Sequence, residues 1–158
     1  MPPTRVRRLA AFLDTIEERL GWEFDTEDFG DRLRLQKYVF LAEAFGFDHN
    51  FDYGMHVYGP YCPDLAEIYY EHDLHTTSPS PTALTEFDAR GFGELVRDKS
   101  TEWLEIAGTV KAVHERYASP ADDGVLREDV IDKVGHLKDV PEDTITEIYS
   151  RLADAGVV

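Results

Sequence analysis

Two groups of residues in this chain have the types and spacing to do chemistry. Cys62 lies between Tyr61 and Pro63 at the expected start of a helix, where the helix dipole would lower a thiol pKa. A nucleophilic thiol also needs a base within reach, and the nearest in sequence is His56, six residues upstream across a Gly59-Pro60 turn. No Cys-His protease signature surrounds either residue. Cys62 stands at an N-cap, where Ser is usual, so it is expected to replace a capping hydroxyl rather than attack a substrate. The second group is Glu71-His72-Asp73-Leu74-His75. His72 and His75 are spaced i, i+3 on the helix expected over 63–75 and could share a metal with a flanking carboxylate. The stretch is not HExxH, no third ligand lies at a telling distance, and His72 falls on the apolar stripe. Phosphate-cradling glycine loops and a Ser-His-Asp constellation are absent. The expectation is no catalytic residue, no metal and no cofactor.

Charge bounds the partners. The 158 residues carry 32 acids against 16 bases, a net charge of −16, and Lys contributes only five of the bases. Excess carboxylate with little Lys suits a protein bathed in multimolar salt, where self-repulsion is screened and surface acids hold water. A haloarchaeal-type, reducing cytoplasm is expected, since a single cysteine allows no internal disulfide. Such a chain is a poor generic polyanion binder unless it carries a local basic face. No apolar run is long enough to span a bilayer, and the basic N-terminus lacks the continuous apolar stretch of a signal peptide. No membrane partner is expected.

The elements that must position these residues are mostly helical. Residues 4–20 form an amphipathic helix with Val6, Leu9, Phe12, Leu13, Ile16 and Leu20 on one face and Gly21 as a stop. A second helix starts at Gly30 or Asp31 and runs to Gly46. Its stripe is Leu33, Lys37, Phe40, Leu41 and Ala44, and it is apolar on most sides, which marks it as central. In NFDYGMHVYG the alternation of Phe51, Tyr53, Met55 and Val57 predicts a short strand, broken by Gly59-Pro60. Pro63 then opens a third helix. A Ser/Thr/Pro loop occupies 76–85, and a weak helix follows in DARGFGELVRDKS. The helix over 101–117 shows Trp103, Ala107, Val110, His114 and Tyr117 along one side. SPADDG separates it from a C-terminal helical pair, 126–155, joined at a tight DVP turn. The whole reads as one mainly α domain, 1–158, with minor β.

Residues 33–70 carry a pattern: Leu35-Gln36-Lys37 with Tyr38 and Phe40 on a helix, a short extended segment, then Tyr58-Gly59-Pro60, Pro63 and another helix. This stretch resembles the core signature of the YwgA-like proteins of bacteria and archaea and is more distantly similar to the Panacea, or SocA-like, domain. The tail, with Leu137-Lys138 inside a paired-helix segment, fits the same layout. The resemblance implies a compact helical fold of winged-helix flavour and a non-catalytic role, binding a protein partner as an antitoxin or regulatory adaptor. Leu35, Gln36, Lys37, Phe40, Tyr58, Gly59, Pro60 and Pro63 are then motif residues of the scaffold. Gln36 is expected to satisfy backbone groups of the YGP loop. Lys37 is expected to lay its stem on the core with its charge at the surface.

The alternative is a winged-helix-like DNA-binding regulator. Its candidate surface is Arg5, Arg7, Arg8, Arg32, Arg34 and Lys37, which form one positive face if the first two helices lie side by side. The C-terminal pair has a helix-turn-helix outline, but Glu142, Asp143, Glu147 and Asp154 oppose a single Arg151 on the helix that would enter the groove. Another protein is therefore the expected partner, with a homodimer as a further option and nucleic acid disfavoured by charge.

Overall fold

The computed structural model describes residues 2–80, 84–117 and 123–158. Its elements are α1 (Thr4–Leu20), α2 (Phe29–Ala42) with a 3-10 turn at Glu43–Phe45, β1 (Gly54–His56), β2 (Gly59–Tyr61), α3 (Pro63–Glu71), α4 (Ala89–Val96), α5 (Thr101–Tyr117), α6 (Asp123–Leu137) and α7 (Glu142–Asp154). The fold is mainly α with one antiparallel hairpin. The hairpin sits between α2 and α3, ahead of the C-terminal helix pair rather than behind it. No helix among the described residues is long and apolar enough to cross a membrane.

Local chemistry sets most boundaries. Gly21 (φ 63°) closes α1, its N–H donating to the Glu17 carbonyl, as a left-handed C-cap does. The Asp28 side chain accepts from the Asp31 N–H at 3.0 Å, so α2 begins at Phe29, slightly earlier than Gly30 or Asp31. Asp88 caps α4 in the same way through the Gly91 N–H at 2.9 Å, and the Ser100 hydroxyl accepts from the Trp103 N–H at 3.0 Å to start α5. At Gly46 (φ 93°) an added Cβ would lie 2.1 Å from the Glu86 carbonyl oxygen, so no side chain fits where the turn passes the segment leading to α4.

Two helices lie at the centre. α2 rests against α5; α3 and α4 flank α2, α1 lies along α4, and α6 and α7 cover the other side of α5. From Leu35 to Ala42 every residue of α2 is buried, as its nearly all-round apolar pattern requires. α5 is buried more widely than its expected stripe. Leu104, Gly108, Thr109 and Lys111 join Ala107 and Val110 inside, while Tyr117 is exposed and Trp103 and His114 are half-buried. Enclosure from two sides explains this, because α2 and β2 press on one side and α6 and α7 on the other. On α2 the expected stripe errs at its ends: Ala44 is exposed and Leu33 only half-buried.

The hairpin also departs from the strand expected over 51–57. Met55 and Val57 are exposed, all of β1 faces outward, and it is β2, containing Gly59 and Pro60, that turns inward. α3 ends at Glu71, because His72 is extended (φ −127°) and the Asp73 carboxylate takes the His75 N–H at 3.0 Å, a local turn that competes with helix. That turn carries Leu74 into the core. Of the loop expected over 76–85, residues 81–83 lie outside the described residues, as do 119–122 of the expected SPADDG separator.

Candidate interaction face around a clamped hairpin

The motif residues of α2 and the hairpin meet as two clamps. Met55 faces Pro60 in the strand pair, with His56–Gly59 and Gly54–Tyr61 on either side. Proline has no N–H, so it takes the non-hydrogen-bonded position and costs the ladder nothing. Its carbonyl points away from β1, and the Lys37 ammonium donates to it at 2.6 Å. Two residues on, the Gln36 amide closes a pair of bonds with the backbone of Cys62: Nε2 donates to the Cys62 carbonyl and the Cys62 N–H donates to Oε1, each at 2.9 Å. Gln36 thus grips the residue just past the YGP turn, and Leu35 beside it is fully in the core. Pro63 is the first residue of α3.

Lys37 itself is a correction. Its side chain does not carry its charge to the surface; the residue is 1% exposed, and burial lowers its pKa to about 8. The Glu105 carboxylate pulls that value back up and Lys138 pushes it down. Lys37 therefore cannot contribute to a positive docking face.

The clamped strand lies hard against α5. Gly59 has φ 86°, and a Cβ there would approach Thr109 Oγ1 to 3.0 Å and the Glu105 carbonyl oxygen to 3.3 Å. The Pro60 ring rests over Gly108, which leaves room for it. From the other side, Lys138 beyond the end of α6 donates to the Val57 carbonyl at 3.1 Å and pairs with Glu105 at 3.3 Å. Backbone carbonyls on both sides of the turn are thus held by lysines, Val57 by Lys138 and Pro60 by Lys37. Nearby, Lys111 is 1% exposed and lies between Glu43 (3.2 Å) and Glu115 (2.6 Å), its ammonium 4.0 Å from the Phe40 ring centroid. His49 is buried beside it. Its Nδ1 accepts from the Phe51 N–H at 2.8 Å, which places the proton on Nε2, 3.2 Å from Glu43 but off the line of a good hydrogen bond. His49 and then Lys111 hold the Glu43 carboxyl at about 2, against the resisting effect of burial. This network was not read from the sequence; its one visible sign is the i, i+4 spacing of Lys111 and Glu115.

What the clamp presents is apolar. Among the described residues the large exposed hydrophobics are Phe29, Met55, Val57, Tyr58, Tyr70, Tyr117 and Leu137, with Val57 at 84% the most exposed. They fall in two groups on either side of the hairpin turn, with Val57 on the turn itself. Tyr58 touches Phe29 edge-to-face, with centroids 5.3 Å apart, and the Arg32 guanidinium lies between Phe29 (5.6 Å) and Tyr70 (5.8 Å). On the other side of the turn, Met55, Tyr117 and Leu137 line one groove, and Lys138 ties the turn to the end of α6. Monomers rarely leave large connected apolar surface without a use.

The other candidate groups are placed differently. Cys62 is 1% exposed, sits at the N-cap of α3 without a side-chain cap bond, and belongs to the core. The His56 ring lies against Tyr61, centroids 5.0 Å apart. His72 and His75 do not share a helix, yet both line one open cleft of about 1100 Å³, where His75 contacts Glu17 at 2.7 Å, which raises its pKa. That cleft also holds Glu23, Asp25, Glu27, Glu71 and Asp73, yet no three His, Cys, Asp or Glu among the described residues converge as a metal would need. The condition for one arginine face is not met, because α1 lies along α4 and meets α2 at most marginally. Each arginine is half-buried and tied to a backbone carbonyl: Arg5 to Asn50, Arg7 to Ser78, Arg8 to Asp48, Arg32 to Thr26 and Arg34 to Lys99. Arg5 also stacks on Phe51 at 4.0 Å. These guanidiniums hold loops to helices. Compared with known protein families, characterised proteins and solved structures, the chain matches none.

Proposed function

We propose that this chain is a non-catalytic protein-interaction module, an adaptor or antitoxin-like protein that docks a protein partner on the face around the hairpin turn. One observation carries the reading: exposed hydrophobics gather on both sides of the hairpin turn, Phe29 with Tyr58 on one and Met55, Tyr117 and Leu137 around one groove on the other, and the backbone there is held by Lys37, Gln36 and Lys138. An apolar surface on a held backbone binds at a reduced ordering cost. The burial of Cys62 supports a non-catalytic role by leaving its thiol no approach for a substrate. The DNA-binding alternative has less support, because its arginines are spread over separate loop ties and Lys37 is inside. The resemblance of 33–70 to YwgA-like and Panacea proteins points the same way. A cytoplasmic site of action accords with the single buried cysteine and the acidic composition.

The test is parallel capture from an extract of the source organism with the wild-type chain and with Val57→Asp/Tyr58→Asp. A stoichiometric protein retained by the first and lost by the second supports the reading. Identical retained species, or nucleic acid in place of protein, contradict it.

A further inference from the structure

The groove on one side of the hairpin differs in charge from the rest of the molecule. It has a volume of about 560 Å³ and lies between β1, the C-terminal end of α5 and the last turns of α6. Phe40 and Met55 line it with Tyr117 and Leu137, and Arg116 and Lys133 stand at it. Both cations are exposed, and neither has a carboxylate partner among the described residues. The single acid of the lining, Glu115, is already paired with Lys111 at 2.6 Å. On a chain of net charge −16, an apolar groove edged by two uncommitted cations is a local reversal of sign. The large cleft beside α3 shows the opposite balance, with five carboxylates against Arg32.

Resting on the docking reading above, we infer that this groove takes a short acidic peptide segment of the partner: one or two large apolar side chains seated between Met55, Tyr117 and Leu137, with an adjacent Asp, Glu or C-terminal carboxylate meeting Arg116 and Lys133. Charge complementarity selects this occupant. A basic segment would meet two like charges, and a wholly apolar one would leave them without counter-charges. The rest of the acidic surface repels an acidic partner everywhere else, so the cationic edges fix where and in which direction the segment lies. A volume of this size accommodates a few side chains rather than a folded surface.

The test is selection of random linear twelve-residue peptides by display, at the lowest salt that keeps the far-UV circular dichroism of the wild type. Three baits are used, the full chain, Arg116→Glu/Lys133→Glu and Val57→Asp/Tyr58→Asp, every substitution lying at an exposed position. The wild type is expected to enrich peptides joining a large apolar residue to Asp or Glu. The charge-reversed variant should bind those peptides about tenfold more weakly or worse and enrich Lys or Arg instead. Peptides without acidic bias, or bound equally by the wild type and the charge-reversed variant, overturn the inference. If Val57→Asp/Tyr58→Asp abolishes such peptides and charge reversal does not, the acidic-segment inference falls while the docking face stands. If the wild type enriches no peptide, the inference falls too. A wild-type dimer in sedimentation that Met55→Glu dissolves would also overturn it, by naming a second copy as the occupant.

Discussion

The Lys37 ammonium donates to the Pro60 carbonyl at 2.6 Å, joining the middle of α2 to the one strand residue that cannot donate to its own ladder. A buried cation and a buried, otherwise outward-pointing carbonyl thus answer each other across 23 residues of sequence. The pairing fixes β2 against α2, and it has a pH signature.

Burial sets the Lys37 pKa at about 8 in the fold, against 10.5 in the open chain. Below about pH 8 both states are protonated and the cost of the buried charge is fully present. Between about 8 and 10.5 the unfolded chain binds the extra proton, so this residue's contribution to stability rises with pH. The gain is on the order of 3 kcal/mol. Urea unfolding of wild type and Lys37→Met across this window should show the difference between them shifting in favour of wild type as pH rises. A difference independent of pH would show that Lys37 is solvated.

Gln36 answers both backbone groups of Cys62; its loss orphans the buried Cys62 N–H, while the carbonyl keeps its bond from the Ala66 N–H at 3.2 Å. Gln36→Met keeps the volume and removes the pairing. It is expected to cost about 1–3 kcal/mol in denaturant unfolding. A cost under about 0.5 kcal/mol would mean that the clip contributes little to the joint.

Gly21 and Gly59 share a positive φ but not a neighbourhood. Nothing lies within 4 Å of a Cβ at Gly21, whereas at Gly59 it would press on Thr109 and Glu105. Gly21→Ala should therefore cost only the backbone strain, about 1 kcal/mol. Gly59→Ala adds displacement of β2 from α5 and should cost about 2–3 kcal/mol or more. Equal melting shifts for the two would remove the close approach from the account.

Cys62 is in the core, so its thiol should react with a bulky aromatic disulfide reagent only through opening of the fold. Labelling is expected to be slow in buffer and to accelerate with denaturant. Rapid stoichiometric labelling of the native protein would indicate an accessible thiol and reopen the nucleophile that the sequence suggests.

The sequence made the helices visible where amphipathic spacing and punctuation agreed. Gly21 and Pro63 stand where they were expected, and the DVP turn separates α6 from α7. It failed where tertiary contact overrode local pattern. The alternation of Phe51, Tyr53, Met55 and Val57 suggested one inward face, yet the turn projects beyond the core, so Met55 and Val57 face outward. Pro60 reads as a breaker and is instead a strand residue, because only its carbonyl is needed. Lys37 reads as a surface charge and Lys111 draws no reading, since nothing local announces that a carbonyl from the hairpin or two carboxylates will receive them. The arginines were legible as residues and not as ties, since their partners are backbone oxygens of distant loops.

The most direct test of the docking face is site-specific photo-crosslinking in extract of the source organism. A benzoyl-phenylalanine replaces Tyr58 on the turn in one protein and Glu128 in another, the latter on the opposite side of α6 from Leu137 by helical spacing. A single protein adduct of defined mass from position 58, competed by unlabelled wild type and absent from position 128, is the predicted result. Equal adducts from both positions, or none from position 58 despite intact folding, would contradict the proposal that the hairpin presents a partner-binding surface.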